Sequence, residues 1–376
     1  IMDDESDQRW MYLALSLGAR GLGNTWPNPS VGCVIILNDK VVGRGFTGVG
    51  GRPHAEILAL TQAGKLAEDS TVYVTLEPCA HHGESGPCVE ALINAKVKRV
   101  VISIKDPDTR VCGRGIKALK QAGILVSLGV LRKEAFEVNR GFINKVLLKR
   151  PLVTLKIAST FDGKIATHSG ESQWITGPES RRKVHTMRAK HDAILVGGGT
   201  ARQDLPLLTV RGLGIKHSPI RILVSNNLNL PQKSPIADSC NNSPIWLIHG
   251  PDPDSASREF WLHRKAKLIE VPLLNKNNLD LTVALRVLAQ MGITRVFCEG
   301  GGQIAASLIQ NNLVDRVIGF TGGKIFGALG VTGIGALSSR HLKDMPTLTP
   351  VEIEKVGNDI LHTWTVVQEN TIMDSL

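Results

Sequence analysis

The chain reads as an α/β protein built in two domains. Three observations carry that reading: a length of 376 residues, glycine at 38 positions, and strand-like runs that alternate with helical patterns along nearly the whole sequence. Glycine at about a tenth of the chain exceeds the usual roughly 7% and favours tight turns and close backbone approach to ligands.

Trp10, Leu13, Ala14 and Leu17 recur at helical spacing. Extended runs over 31–37 and 41–45 follow, joined at Asn38-Asp39, a hairpin signal. The pattern continues as a helix over 54–63, a strand over 71–75, a helix over 88–95 and a strand over 99–104. A helix near 116–122, a strand over 124–128 and a helix over 133–147 complete a mixed sheet between helical layers. At Lys149-Arg150-Pro151 a helix ends in basic residues and proline disfavours its continuation, which places the domains at 1–149 and 150–376. The second domain restarts with a strand over 153–158. Further strands are expected over 193–196, 220–224, 245–248, 267–271, 295–298 and 316–320, with helices over 179–189, 281–290 and 304–310. Thr176-Gly177-Pro178-Glu179 has the form of a capping box with proline in the first turn. Residues 351–356 and 362–367 read as an antiparallel pair, 226–244 and 250–258 as loops, and the apolar, Gly-rich stretch 325–337 as a buried loop.

Hydrophobic residues at 42% and charged residues at 21% are ordinary for a globular protein and exclude disorder as the main state. The net charge of +10 divides evenly, with 20 basic and 15 acidic side chains in residues 1–150 and no basic block. A diffuse balance favours small anionic ligands over nucleic acid. The acidic start, Ile1 to Asp7, lacks the order of a signal peptide, and no run of about 18 apolar residues occurs, so a cytoplasmic protein with no membrane partner is expected. Six cysteines are too sparse for a secreted disulfide framework. Cys33, Cys112, Cys240 and Cys298 have no partner spacing and read as buried small residues.

Cys79 and Cys88 are the grouped pair. His54-Ala55-Glu56 opens a helix, and Pro78-Cys79 and Pro87-Cys88 lie between a strand and the next helix. One imidazole and two thiols leave a fourth tetrahedral position for water, a catalytic zinc pattern. Zinc would bring the pKa of that water from about 15.7 towards 7. Glu56 beside the ligand could then move the proton from water to leaving ammonia, as in zinc deaminases. The alternative is a closed site in which two of His54, His81 and His82 join the cysteines. Eight residues separate Cys79 and Cys88, where the general deaminase signature has two.

The run Thr25-Trp26-Pro27-Asn28-Pro29-Ser30-Val31-Gly32, the His54-Ala55-Glu56 triplet, Glu77-Pro78-Cys79-Ala80-His81-His82-Gly83 through Cys88, and Lys105-Asp106-Pro107 through Gly113-Arg114-Gly115 resemble the deaminase half of the bifunctional riboflavin-biosynthesis deaminase/reductase family. The resemblance continues through the second half. It implies a cytidine-deaminase-like three-layer α/β/α domain followed by a dihydrofolate-reductase-like α/β domain. It also implies zinc on His54, Cys79 and Cys88, and catalysis by Glu56. The substrate would be 2,5-diamino-6-ribosylamino-4(3H)-pyrimidinone 5′-phosphate, contacted by Asn28, His81, Asp106 and Asp108. Three positions depart from the family: Thr47 where a histidine is usual, Glu84 where a basic residue is usual, and Asp108 where asparagine is frequent. A carboxylate at Glu84 removes an attraction for phosphate, and Arg52, Arg110 or Arg114 is the expected replacement.

In the second half, Lys156-Ile157-Ala158-Ser159, Asp162-Gly163-Lys164 and Gly170 through Thr176 dress strand ends and turns with polar groups, as α/β sheets do at their carboxyl edges. Glu299-Gly300-Gly301-Gly302 and Gly197-Gly198-Gly199-Thr200 each follow a strand, where backbone amides can approach a phosphate. A plain strand-to-helix turn explains either one equally well. These segments resemble the family's reductase half, which uses NADPH to open a ribosyl group to a ribityl chain. By that resemblance Lys156, Ser172, Trp174, Arg188, Asp204, Leu208, Arg211 and Glu299 line the substrate, with Arg188 and Arg211 suited to its phosphate. Ala158, Thr176, Thr200, Gly300, Gly301 and Gly302 would face NADPH. Asp204 is the expected proton relay, and Leu205 replaces a second acidic residue of the family. The rival readings are a nucleic-acid base deaminase with an accessory domain, and a reductase with an inactive zinc domain. A homo-oligomer is expected by base rate and resemblance.

Overall fold

The computed structural model describes residues 4–81, 86–109, 111–215, 217–275, 278–338 and 341–366. The chain divides into two compact units, one extending to Lys149 and the other starting at Arg150.

The first unit runs α1 (Asp4–Gly18), β1 (Gly32–Leu37), β2 (Lys40–Phe46), α2 (Ala55–Ala63), β3 (Thr71–Leu76), α3 (Cys88–Asn94), β4 (Arg99–Ile104), α4 (Arg114–Gln121), β5 (Leu125–Leu128) and α5 (Arg132–Leu147). Its sheet has the order β2-β1-β3-β4-β5. The β1–β2 and β1–β3 pairs are antiparallel, whereas β3, β4 and β5 are parallel. Asn38 and Asp39 both take positive φ, the twist that a two-residue hairpin turn demands. β4 is buried along all six residues, as expected for a strand covered on both faces. Helices α1 and α5 pack together, and α2, α3 and α4 pack in series, making the helical layers. The core of Met11, Ala14, Ile35, Val74, Ile102 and Phe136 lies between sheet and helices.

The second unit contains β6 (Leu152–Thr160), β7 (Lys164–Ala166), α6 (Pro178–Ala189), β8 (Ala193–Gly197), α7 (Gly198–Asp204), β9 (Ile220–Val224), α8 (Pro235–Asp238), β10 (Ile245–His249), α9 (Ser255–His263) and β11 (Lys267–Glu270). It continues with α10 (Leu281–Gln290), β12 (Arg295–Gly300), α11 (Gly302–Gln310), β13 (Arg316–Gly322), β14 (Val331–Thr332), β15 (Leu348–Val356) and β16 (Asp359–Val366). Nine strands form one sheet in the order β11-β10-β9-β8-β12-β6-β13-β16-β15. It is parallel from β11 to β13 and antiparallel across the β13–β16–β15 edge. This is an α/β arrangement, with an apolar layer of Ile194, Val196, Leu223, Leu247 and Trp261 on one part of the sheet.

Four expectations need correction. The N-cap of α6 is Gly177, not Thr176, and no local side chain caps it; the buried carboxylate of Asp359 accepts from Gly177 N at 2.7 Å instead. The stretches read as loops contain α8 and α9, the latter started by Asp254, whose side chain accepts from Ser257 N at 2.7 Å. Its polar first turn masked its helical character. Residues 325–337 are not a buried loop: Ile325 and Leu329 are each 73% exposed, and Val331 pairs only with the short strand β7. Finally, Cys33 and Cys298 are buried, but Cys112 is exposed and Cys240 half-buried.

Candidate functional site

In the first unit, the parallel strand β3 ends at Leu76 and delivers Glu77-Pro78-Cys79 to the carboxyl edge of the sheet. His54 is the N-cap of α2, which places Glu56 in the first helical turn, and Cys88 opens α3 behind the N-cap Pro87. The donor atoms of His54, Cys79 and Cys88 all lie within 4.8 Å of one another, the only such group among the described residues. His54 Nδ1 is 3.2 Å from Cys88 Sγ and 3.6 Å from Cys79 Sγ. Tetrahedral zinc with bonds of about 2.0–2.3 Å would hold an N and an S donor roughly 3.6 Å apart, so the donor set fits that ion. The backbone N–H of Cys88 donates to Cys79 Sγ at 3.3 Å. A hydrogen bond from the Cys88 thiol holds the Cys79 thiol down at about 4, while the same bond and burial push Cys88 up. His54 is raised by its hydrogen bond to Cys79. Glu56 is 4% exposed, and burial together with the neighbouring Cys79 charge pushes its carboxyl up to about 7.

Asn28 lies against the turn that leads to His54: its Nδ2 donates to Gly50 O at 3.3 Å. Gly51, at φ +94°, is the residue that admits it, since a Cβ there would stand 1.9 Å from Asn28 Nδ2. His81 keeps Nδ1 buried with no hydrogen-bond partner among the described residues. Asp106 is buried and accepts from Asp108 N at 2.8 Å, which folds the loop after β4. Thr47, buried, accepts from Val31 N at 2.9 Å and so braces the start of β1. His82, Glu84 and Arg110 lie outside the described residues. Arg52 lines a groove of about 650 Å³ with His54, Glu90 and Asn94; Arg114 opens α4.

In the second unit a cavity of about 520 Å³ collects almost every expected residue: Lys156, Ala158, Ser172, Trp174, Thr176, Arg188, Thr200, Asp204, Leu208, Arg211, Glu299, Gly300 and Gly301. Gly302 is not among them; as the first residue of α11 it faces Thr332 O and Gly335. Glu299 reaches the cavity through a β-bulge: Cys298 and Gly300 pair with the consecutive residues Leu195 and Val196, leaving Glu299 as the extra residue. Its carboxylate receives Arg188 through Nε and Nη2, the latter at 3.0 Å, and Lys156 Nζ stands 4.0 Å away. Burial pushes Glu299 up, but Arg188 and Lys156 outweigh it and hold the carboxyl below its usual range. Burial pulls Lys156 down against the attraction of Glu299. Arg188, paired with Glu299, also donates to Thr209 O at 3.0 Å, so its donors are already engaged, whereas Arg211 is exposed and has no ion pair among the described residues. Ser172 Oγ donates to Asp204 at 3.1 Å.

Two titratable lining residues escaped the sequence reading. Arg181 stacks its guanidinium 4.3 Å from the centre of the exposed Trp174 ring, and His185 Nδ1 lies 3.2 Å from Arg211 N. They share one face of α6 with Arg188 at positions i, i+4 and i+7, a helical periodicity that would have found them.

Two family models match this chain: the cytidine and deoxycytidylate deaminase zinc-binding region over residues 4–104, and the RibD C-terminal domain over residues 151–362. The riboflavin biosynthesis protein RibD of Escherichia coli is 39% identical over 367 residues, covering 94% of this chain and 98% of its own. The Aquifex aeolicus protein of the same name is 37% identical, covering 95% and 98%. Among solved structures, Acinetobacter baumannii RibD superposes with a TM-score of 0.88 at 33% identity, covering 97% of this chain and all of that one. A Thermotoga maritima deaminase/reductase gives 0.84 at 33% identity, covering 96% and 99%. Matched in both halves and over nearly its full length, the chain belongs to the RibD family of riboflavin biosynthesis proteins.

Proposed function

We propose that this chain is a bifunctional enzyme of riboflavin biosynthesis that deaminates a phosphorylated diaminopyrimidinone and then reduces the ribosyl group of the product to a ribityl chain. The Thermotoga maritima relative carries the names of both steps, diaminohydroxyphosphoribosylaminopyrimidine deaminase and 5-amino-6-(5-phosphoribosylamino)uracil reductase. The observation that carries the reading is the convergence of His54, Cys79 and Cys88 beside the buried carboxyl of Glu56. Bound zinc supplies Lewis-acid activation of water, and NADPH supplies the hydride. Glu56 takes a proton from the attacking water and returns one to the departing ammonia, work for which a carboxyl with a pKa near 7 is suited. Asn28, His81, Asp106 and Asp108 hold the pyrimidine; His81 Nδ1, buried and without a partner among the described residues, supports this. In the second unit Lys156, Ser172, Trp174, Leu208 and Glu299 orient the sugar, and Asp204 relays the ring-opening proton. Arg211 takes the phosphate, since Arg188 is already paired with Glu299. Ala158, Thr176, Thr200, Gly300 and Gly301 face NADPH, while Gly302 contributes by placing α11.

The partner is a small molecule rather than nucleic acid, in keeping with the size of the cavity. Among the described residues no helix is long and apolar enough to cross a membrane. All six cysteines are free, which agrees with a reducing, cytoplasmic setting. The exposed Ile325 and Leu329 support self-association as a homo-oligomer.

Ammonia release from the diaminopyrimidinone ribotide, measured without NADPH, tests the first step. Wild-type protein carrying zinc is expected to release ammonia, and Glu56→Ala to lose about a hundredfold or more in kcat. No release by the zinc-loaded wild type would overturn the deaminase assignment.

A further inference from the structure

Glu77 stands two residues before Cys79 and holds no metal. It is 3% exposed and makes no ion pair among the described residues. Its carboxylate instead collects three backbone amides: Gly113 N–H at 2.9 Å and Asp106 N–H at 3.3 Å donate to Oε2, and Ile116 N–H at 3.1 Å donates to Oε1. Asp106 is the second residue of the loop after β4, Gly113 is the N-cap of α4, and Ile116 lies in its first turn. The helix has no cap of its own at Gly113, so Glu77 caps it from another strand. One side chain therefore fastens both ends of the β4–α4 loop to the segment that carries Cys79. Within that loop Asp106 accepts from Asp108 N, and Asp108 O accepts from Val111 N and Cys112 N at 2.8 Å each. The close packing depends on Gly115, where a Cβ would stand 2.3 Å from Pro78 O and 3.2 Å from Glu77 Cγ.

A buried carboxylate is costly to desolvate, and a fold that only needed a helix cap could use serine or asparagine from the loop itself. What sets a carboxylate apart is that it accepts at both oxygens and donates at neither, so three converging N–H groups select it over the isosteric amide. We propose that Glu77 is a positioning residue for deamination, which sets the Asp106–Asp108 loop against the Cys79 segment without touching metal or substrate. The inference rests on the deaminase reading of the first unit.

The test uses the full chain, zinc-loaded, and compares Glu77→Gln, Glu77→Asp and Gly115→Ala with wild type. Zinc content, kcat and KM for ammonia release, and NADPH-dependent reduction of the deaminated ribotide are measured together. Glu77→Gln is expected to keep its zinc and its reductase activity while KM for the deaminase substrate rises about tenfold and kcat falls less. Gly115→Ala, which pushes the loop away with Glu77 intact, is expected to shift KM in the same direction, and Glu77→Asp, still an acceptor-only group, to recover part of the loss. An unchanged KM in both Glu77→Gln and Gly115→Ala overturns the inference. So does a loss of activity that simply follows a loss of zinc, which would make Glu77 a support of the metal segment alone. A wild-type protein that holds zinc and releases no ammonia would instead overturn the deaminase reading.

Discussion

His191 shows how much one buried side chain can bind stability to pH. It is 7% exposed, with Nδ1 2.8 Å from Met187 O and Nε2 3.0 Å from Thr154 Oγ1. The carbonyl can only accept, so the proton sits on Nδ1 and Nε2 receives the Thr154 hydroxyl, which fixes the neutral ring. Burial, with Arg295 nearby, pulls its pKa down to about 3. The sign follows from linkage. Below the ordinary value of 6.5 the unfolded chain takes up a proton that the folded chain refuses, so stability is fully present above 6.5 and is lost as pH falls towards 3. The loss amounts to about 1.4 kcal/mol per pH unit inside that window. Urea unfolding of wild type and His191→Gln between pH 7 and 4 checks this: the variant, which keeps a donor and an acceptor but does not titrate, is expected to show a shallower slope. Equal slopes would mean that His191 charges within the fold.

Helix α6 carries Arg181, His185 and Arg188 into the reductase cavity, yet its own start depends on a residue far along the chain. Asp359, the first residue of β16, accepts from Gly177 N and from Ser180 Oγ. Removing it leaves a part-buried N–H and a buried hydroxyl without an acceptor, at a cost of about 1–3 kcal/mol. Asp359→Ala is therefore expected to lower the unfolding midpoint of the second unit and to raise KM for reduction, with deamination unchanged. A midpoint and KM both equal to wild type would show that the α6 start holds itself. The sequence suggested a local cap at Thr176 because that motif is contiguous, whereas the true partner is 182 residues away and becomes visible only when β16 is paired with β13. The same limit hid the bulge at Glu299, which is a property of register between β12 and β8 and not of either strand alone. By contrast, β4 and α10 were legible to the residue, since their apolar patterns and flanking caps are local.

Each unit has an apolar core of its own, one drawn from residues between Trp10 and Ile143 and the others from residues between Val184 and Leu361. Each also sets its polar groups where parallel strands end: Glu77 and Cys79 after β3, Asp106 after β4, Thr200 after β8, and Gly300 and Gly301 at the end of β12. The zinc motif was legible because its residues come in short runs, His54 with Glu56 and two Pro-Cys pairs, whereas the reductase cavity needed the resemblance, its residues being scattered from Lys156 to Gly301. That contrast bears on how the two activities respond to metal. Every donor to the metal group lies in the first unit, and every residue lining the reductase cavity lies in the second. Chelation is therefore expected to abolish ammonia release while leaving NADPH-dependent reduction of the deaminated ribotide within about twofold of wild type, because the second core gains nothing from the ion. Restoring zinc should restore ammonia release alone. If chelation instead stopped both reactions, the metal would be holding more than the first unit together, and the independence of the two cores would have to be given up.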